Sequence, residues 1–588
     1  MTSRVSTRPG RRARAGRTEA LVLVAVVAFL VPSLADLCSP SWRRRVFGWV
    51  AADGFYYLTV ARNFARYGRV AYDQTNPSNG FHPLWQALCA IVAVILRCFR
   101  SEDRLALAVV LLGVGLTTAS IPLLGRFLSA SGARLSILFP LLPVGIYALL
   151  ILPVWMRGMP SMANQNPYEG PMPLYGTLFS DANGMESALV LLFFALSART
   201  FAVGDPRGRG RDARTFGLAL AGVVLSRLDH ALLVLPLVCG VATSSLATLG
   251  WRGPALSLLG AFSLPIVLYL VINHHFYGVL MPVSGALKSS FPHVNNQNID
   301  DIREFWTRPW RDTFLTRAYR HFAAELPAAS ALLYLVVVVD VKPHDGAILV
   351  RMRPWTGRHD VFLALAALGV LLLGAYDIFF VGWFAQGHWY FPVSTLFVSL
   401  AVFSVAAPLE RRISCAWRKR GAGRSVRTAF AAWLAVCAAS VVIVFVLFHR
   451  QLGYHRNYAD FYFVEAPKLC ARYGSTMPKF IEGDDGIIAY SLGAPTMSTG
   501  MGLDPAGAAA MLGGDLLGLA LTRGYDRLTS LVYTLGDALG RDPSPADLRA
   551  WAHSVTSFDD SKGYDFALDY RSANGHFAVV RAWRKPLR

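Results

Sequence analysis

The segment Asp53-Gly-Phe-Tyr-Tyr-Leu-Thr-Val-Ala-Arg-Asn-Phe-Ala, continuing to Asn79-Gly-Phe-His-Pro-Leu-Trp85, gathers an acid, amides, a histidine and aromatic rings. Such a set could take a proton from a hydroxyl through Asp53 and hold a polyhydroxylated ligand through Tyr57, Asn79 and His82. Asp53 also admits a bland role as a helix cap, and Trp85 one in an aromatic belt. Further along, Asp181-Ala-Asn-Gly-Met-Glu186 sets a carboxylate where a loop enters an apolar run. That acid either favours the helix dipole or serves a site, since ionisable groups at the hydrocarbon boundary are expensive. Ser226-Arg227-Leu-Asp229-His230 interrupts another apolar stretch; Arg227 could bind a phosphate or pair with Asp229. Pro282-Val-Ser-Gly-Ala-Leu-Lys288-Ser289-Ser290 offers a cation and hydroxyls to an anionic headgroup, although an interfacial lysine can equally be a snorkelling anchor. His388 lies in a last aromatic turn, Gln386-Gly-His-Trp-Tyr-Phe-Pro392.

The elements that must position these groups are membrane helices. Hydrophobic residues make up 54% of the 588, charged ones 16%, and mean hydropathy is +0.40, which excludes an ordinary soluble protein. Apolar runs near the length needed to cross a bilayer recur at 19–37, 81–98, 104–125, 135–155, 186–203, 215–249 (two spans), 254–276, 328–341 (a short one), 361–383, 390–408 and 429–448. Backbone in hydrocarbon must satisfy its own hydrogen bonds, so the expected fold class is an all-α polytopic bundle of about 11–13 transmembrane helices. The segment after Asp53 reads as an amphipathic helix in the interface, its rings at headgroup depth.

The net charge of +20 raises the possibility of a nucleic-acid partner, but its distribution argues against one. Arginines and lysines collect in the N-terminus and in short loops at 204–214, 342–360 and 409–428, as topology signals do on the cytoplasmic side. This places a basic N-terminus (1–18) in the cytoplasm and an outer loop (39–80) outside. The transmembrane domain covers 19–448, and 449–588 reads as a small extracytoplasmic α/β domain. Span parity between residues 38 and 204 is off by one, so a stretch within 81–155 is re-entrant or hides a second helix. No Walker loop or dinucleotide fingerprint occurs. The cysteines have no metal-ligand spacing; Cys89, Cys239 and Cys437 read as small buried residues, and only Cys38 and Cys470 would share an oxidising compartment.

Taken in order, the first acid-aromatic segment, Asn-Gly-Phe-His-Pro-Leu-Trp, Asn-Gly-Met-Glu-Ser-Ala-Leu, Ser-Arg-Leu-Asp, Pro-Val-Ser-Gly-Ala-Leu-Lys-Ser-Ser and Trp-Tyr-Phe-Pro resemble bacterial GT-C-fold integral-membrane glycosyltransferases. The likeness covers about residues 19–408 and is nearest to the dolichyl-phosphate-mannose mannosyltransferase-like and arabinofuranosyltransferase-like branches. It implies a multi-pass enzyme of the bacterial plasma (inner) membrane that moves a sugar from a polyprenyl-phosphate donor to a glycan, lipid or protein hydroxyl on the outer face. By position, Asp53 would be the general base and Lys288 a phosphate ligand. Glu186, Arg227, His82 and Asn79 would line the cavity. Relatives often carry two adjacent acids at the first motif, whereas Ala52 precedes Asp53 here. No cofactor is expected, and a divalent metal would want that second carboxylate. A flippase of lipid-linked glycans, or a non-catalytic scaffold of glycan assembly, would also place polar groups in a bundle. A transporter, however, should show internal repeats or broken helices at midplane, and no repeat is evident.

Overall fold

The computed structural model of the chain describes residues 42–100, 104–129, 183–249, 252–307, 316–344, 347–352, 358–382, 390, 392–419, 456–483, 486–499, 503–531, 542–572 and 577–585. The expected spans at 19–37, 135–155 and 429–448 lie outside these residues, as do Cys38 and Cys437.

A short helix α1 (Trp42–Trp49) leads into α2 (Ala52–Tyr67), which ends on Gly68 in the left-handed region. A loop follows, folded around Asp73, whose carboxylate accepts the backbone N–H groups of Thr75 and Asn76. Pro83 then opens α3 (Pro83–Cys98), where its missing N–H is harmless. The bundle continues with α4 (Leu105–Ser129), α5 (Ser187–Val203), α6 (Gly210–Ser226), a single 3-10 turn (Leu228–His230), α7 (Ala231–Leu249) and α8 (Arg252–Tyr277). The apolar stretch 215–249 is thus two helices, parted where the ionisable residues fall. After α9 (Val283–Lys288), α10 (Asn296–Thr307) and α11 (Thr316–Val338), a hairpin of β1 (Val339–His344) and β2 (Ala347–Met352) precedes α12 (Arg358–Phe380) and α13 (Pro392–Lys419).

Two boundaries differ from expectation. The short span at 328–341 is the apolar end of the longer α11, which stops at Val338 where the hairpin begins. The basic segment after residue 408 continues α13 as helix to Lys419.

Among the described residues, Leu105–Leu128, Leu228–Ala247, Gly253–Tyr277 and Arg358–Phe380 are long and apolar enough to cross a membrane. Their surroundings differ. Over its apolar window α12 is 56% buried, whereas α8 is only 11% buried and turns Leu256, Leu264, Val267 and Phe276 outward. An apolar face of that extent suits lipid rather than water. Cys239, expected to be buried, also lies on the outside of the bundle. One core joins α4–α7 with α11–α13. At the end remote from Asp53, Asp360 accepts hydrogen bonds from Tyr334 (2.9 Å) and Ser404 (2.5 Å), tying α11, α12 and α13 together. The Arg358 guanidinium reaches the Gly204 carbonyl at 3.1 Å, so two of the basic segments meet at that same end.

The C-terminal region is mixed α/β. Helix α14 (Arg456–Asp460) passes through one wide turn into α15 (Ala466–Tyr473). Then come β3 (Phe480–Glu482), α16 (Ile487–Leu492), β4 (Thr496–Ser498), α17 (Pro505–Leu512), α18 (Leu516–Thr522) and β5 (Arg527–Ser530). Helix α19 (Pro545–Val555), started by a Ser544–Asp547 capping box, precedes β6 (Tyr564–Arg571) and β7 (Ala578–Arg584). The sheet order is β4-β3-β5-β7-β6, with β3 parallel to both β4 and β5 and the rest antiparallel.

This region shares a core with α1–α4: Phe47, Phe55, Trp85, Phe480, Ile487 and Ile488 belong to one buried cluster. That overturns the picture of α2 as an interfacial amphipathic helix. Phe55, Tyr56 and Tyr57 are all fully buried; the C-terminal region covers Phe55 and Tyr56, while Tyr57 turns toward Glu186 and His82. Gly54 permits the tight fit on the other side, since a Cβ there would stand 2.8 Å from Val50 Cγ1 and 3.2 Å from the Asn183 carbonyl.

Candidate active site

Asp53 lies where the start of α2 meets the end of α9. The residue sits in the first turn of α2, after Ala51, which holds the cap position without a side-chain hydrogen bond. The capping role is therefore not the one Asp53 plays. Its carboxylate is free to face Lys288, whose ammonium donates to Oδ2 at 3.3 Å. The side chains of this pair are 7% and 19% exposed, so it stands at the mouth of the site. Lys288 is the last residue of α9. Its carbonyl accepts the Gly382 N–H, Ser289 bridges to Val381, and Ser290 N–H bonds to the Phe380 carbonyl. Ser289 and Ser290, expected to serve a headgroup, instead hold this crossing: Tyr376 donates to Ser289 Oγ, and Ser290 Oγ donates to the Phe380 and His293 carbonyls.

Deeper in lies a second set of charges. Arg227, at the break between α6 and α7, is 2% exposed. Its Nη1 donates to Glu186 Oε1 at 2.6 Å, while Nε and Nη2 donate to Asp229 Oδ2 at 3.1 and 3.0 Å. Burial disfavours that charge, but Asp229 and Glu186 outweigh it and hold the guanidinium well above its ordinary range. Of the two roles open to Arg227, the ion pair is the one observed, doubled by Glu186. Glu186 occupies the position before α5 without capping it. Its other oxygen accepts from the Tyr57 hydroxyl at 3.0 Å, and Tyr57 in turn accepts the His82 backbone N–H at 3.3 Å. Burial first, and the Glu186 charge second, push the Tyr57 phenol well above its usual range, so it acts as a neutral donor.

His82, at the cap just ahead of α3, is pushed down to about 3, first by burial and then by the Arg227 charge. Its neutral ring fits its contacts: Nδ1 accepts the Leu228 N–H at 3.3 Å, which leaves Nε2 as the protonated nitrogen. Tyr390 joins the two charge sets. Its ring lies 3.8 Å from the Arg227 guanidinium carbon and 5.9 Å from Lys288 Nζ, within cation–π reach of both. The arrangement sets an aspartate–lysine pair beside a network in which Arg227 and Glu186 are buried while Asp229 and His82 keep a minor part of their side chains exposed.

No family model matches the chain, and no curated protein matches it. Among solved structures it is similar to the crystal structure of ArnT from Cupriavidus metallidurans bound to undecaprenyl phosphate, at 14% identity and a TM-score of 0.49, over 96% of this chain and 98% of that one. Neither activity nor ligand passes to this chain from a likeness of that depth.

Asp53 and Lys288 thus form one contacting set, and Tyr57, His82, Glu186 and Arg227 another, with Tyr390 between the two. Asn79 is buried nearby, donating to Asn273 Oδ1 at 3.3 Å while its own Oδ1 has no hydrogen-bond partner among the described residues. His388 lies outside the described residues. Trp85 does not belong to an aromatic belt; it is fully buried and donates Nε1 to the Gly184 carbonyl at 2.9 Å, pinning the loop before Glu186. Sequence inspection passed over Asp377, buried in α12 within the field of Asp229 and Arg227. A signal for it exists, since it is the lone charged residue in the run 361–383. No group of three or more His, Cys, Asp or Glu side chains placed to hold a metal ion occurs among the described residues.

Proposed function

We propose that this chain is a membrane glycosyltransferase that moves a sugar from a polyprenyl-phosphate donor to a hydroxyl acceptor on the extracytoplasmic face. The observation that carries this reading is the Asp53–Lys288 pair, a carboxylate and an ammonium 3.3 Å apart at the mouth of a buried polar site in an apolar bundle. The ordered motifs of the sequence support it, and the basic segments gathered at the remote end support the sidedness.

In this mechanism the acceptor oxygen attacks the anomeric carbon while the bond from that carbon to the phosphate oxygen breaks. The acceptor proton passes to Asp53, a general-base contribution of roughly 10²–10⁴-fold. The bonding electrons leave with the polyprenyl phosphate, and Lys288 steadies the charge gathering there. An ammonium has three donors, so Lys288 can hold a phosphate oxygen while keeping Asp53 in place. Arg227 is committed to Glu186 and Asp229 and acts on the walls rather than as a direct phosphate ligand.

The test is sugar transfer by the purified full chain from a labelled polyprenyl-phosphate donor, with Asp53→Asn alongside. The expected result is transfer by the wild type and its near-complete loss in the variant with donor binding kept. Transfer by Asp53→Asn at the wild-type rate would overturn the base assignment.

A further inference from the structure

We propose that the C-terminal domain is the positioning device for Asp53, with buried Glu482 as the residue through which it acts; this rests on the reading of Asp53 as the base. Glu482 closes β3 and is completely buried. Its Oε1 accepts the Tyr72 hydroxyl, from the outer loop, and the Gly486 N–H at 3.1 Å. Oε2 accepts the Ala489 N–H at 3.0 Å. One carboxylate therefore fastens the start of α16 to the loop that joins α2 to α3.

The far end of α16 is fastened by α2 itself. Arg62 donates Nη1 to the Tyr490 carbonyl at 2.5 Å and Nη2 to the Ala489 carbonyl at 3.1 Å. An anion at the N-terminal end and a cation at the C-terminal end both complement the helix dipole. Between these anchors α16 lies against α2 without a gap. Gly486, at φ +64°, approaches so closely that a Cβ would stand 2.9 Å from the Ala52 carbonyl oxygen and 3.0 Å from the Tyr56 nitrogen. Those two atoms flank Asp53 in the chain. Ser498 adds a bond to the Tyr56 hydroxyl at 3.0 Å.

The domain also touches the other member of the pair. Leu287, next to Lys288, packs against the core formed by Leu503, Leu516 and Tyr525. Asp53 and Lys288 come from segments far apart in sequence, and the C-terminal domain is in contact with both. Glu482 is completely buried and accepts from at least three donors, and the close contact it anchors reaches the residue before Asp53 and the third residue after it.

The experiment uses the full chain in lipid nanodiscs, comparing wild type with Glu482→Ala and Glu482→Gln. Two quantities are read: amide hydrogen exchange over residues 52–58, and kcat with donor KM. In Glu482→Ala, exchange over 52–58 should quicken at least about tenfold, and kcat should fall about 10–100-fold, as for a modest misplacement of a reacting group. Donor KM should change less than about threefold, because Lys288 is held separately by Gly382 and the end of α12. Glu482→Gln keeps acceptors for Tyr72 and Gly486 but turns an amide toward the Ala489 N–H, and should fall between. If the alanine variant does not fold, the glutamine variant decides by the same two readouts. Faster exchange confined to 487–492, with kcat unchanged, would overturn the proposal. A wild type that transfers no sugar would sink the functional reading instead, while exchange over 52–58 would still report whether Glu482 positions Asp53.

Discussion

The mouth pair and the inner network are built from the same kinds of side chain, yet their surroundings assign them different work. Asp53 and Lys288 meet at 3.3 Å, and Lys288 keeps 19% of its side chain exposed. Arg227, Glu186 and Asp229 form several short contacts, with Arg227 and Glu186 nearly sealed from solvent. An ion pair at an opening can exchange its partner for a ligand. One inside a core cannot do so without leaving an uncompensated charge, which is the costly event in buried pairs. Charge alone therefore does not mark a ligand group; the number and strength of the contacts a charge already makes must be read with it.

The comparison breaks most readily at Asp53. Asp53→Asn should lower kcat by about 10²–10⁴-fold while the thermal midpoint stays within a degree or two of wild type. A large loss of stability would move Asp53 into the structural class. Arg227→Met should show the reverse pattern, losing about 3–5 kcal/mol of stability by stranding two carboxylates. Thermal unfolding in detergent measures it, and a fully stable Arg227→Met protein that no longer binds donor would return Arg227 to the ligand class. Lys288→Ala should weaken donor binding about 10–100-fold, the worth of a charge-assisted hydrogen bond, with little change in acceptor KM. Unchanged donor affinity in a titration would remove its phosphate role.

The smallest effect is expected at His82 and has a definite sign. It titrates near 6.5 in an unfolded chain and is held at about 3 in the fold. Between those values the unfolded state binds the extra proton, so stability falls as pH drops through this window. His82→Phe forfeits the acceptor for the Leu228 N–H, about 1 kcal/mol at pH 7.5, but escapes the acid penalty. Its deficit against wild type should therefore shrink between pH 7.5 and 5. A constant gap would mean that the ring is not the neutral acceptor described.

Much of the bundle was legible because hydropathy reports directly on burial in lipid. The break inside 215–249 was visible from its ionisable residues. The neighbours of α2 were not. Its alternation of rings and polar groups fits a headgroup surface as well as a protein interface, and the partner that decides between them arrives more than 400 residues later with Glu482 and Ser498. Tyr390 was seen only as one aromatic among several, since nothing local says that its ring will face two cations. The competing roles of Arg227 could not be separated without knowing that Glu186 would approach from another helix.

The strand order of the C-terminal sheet has one more consequence. The parallel strands β4 and β5 flank β3 on opposite sides, which makes the carboxyl end of β3 a topological switch point, the place where open α/β sheets hold their small-molecule ligands. Glu482, Ser498 and Ser530 end these three strands there, all buried. Tyr56 and Tyr72 bond to Ser498 and Glu482 at these strand ends. At the position where open α/β sheets bind ligands, this domain instead bonds to a piece of its own polypeptide, so the sheet's strand ends serve to join the domain to the bundle.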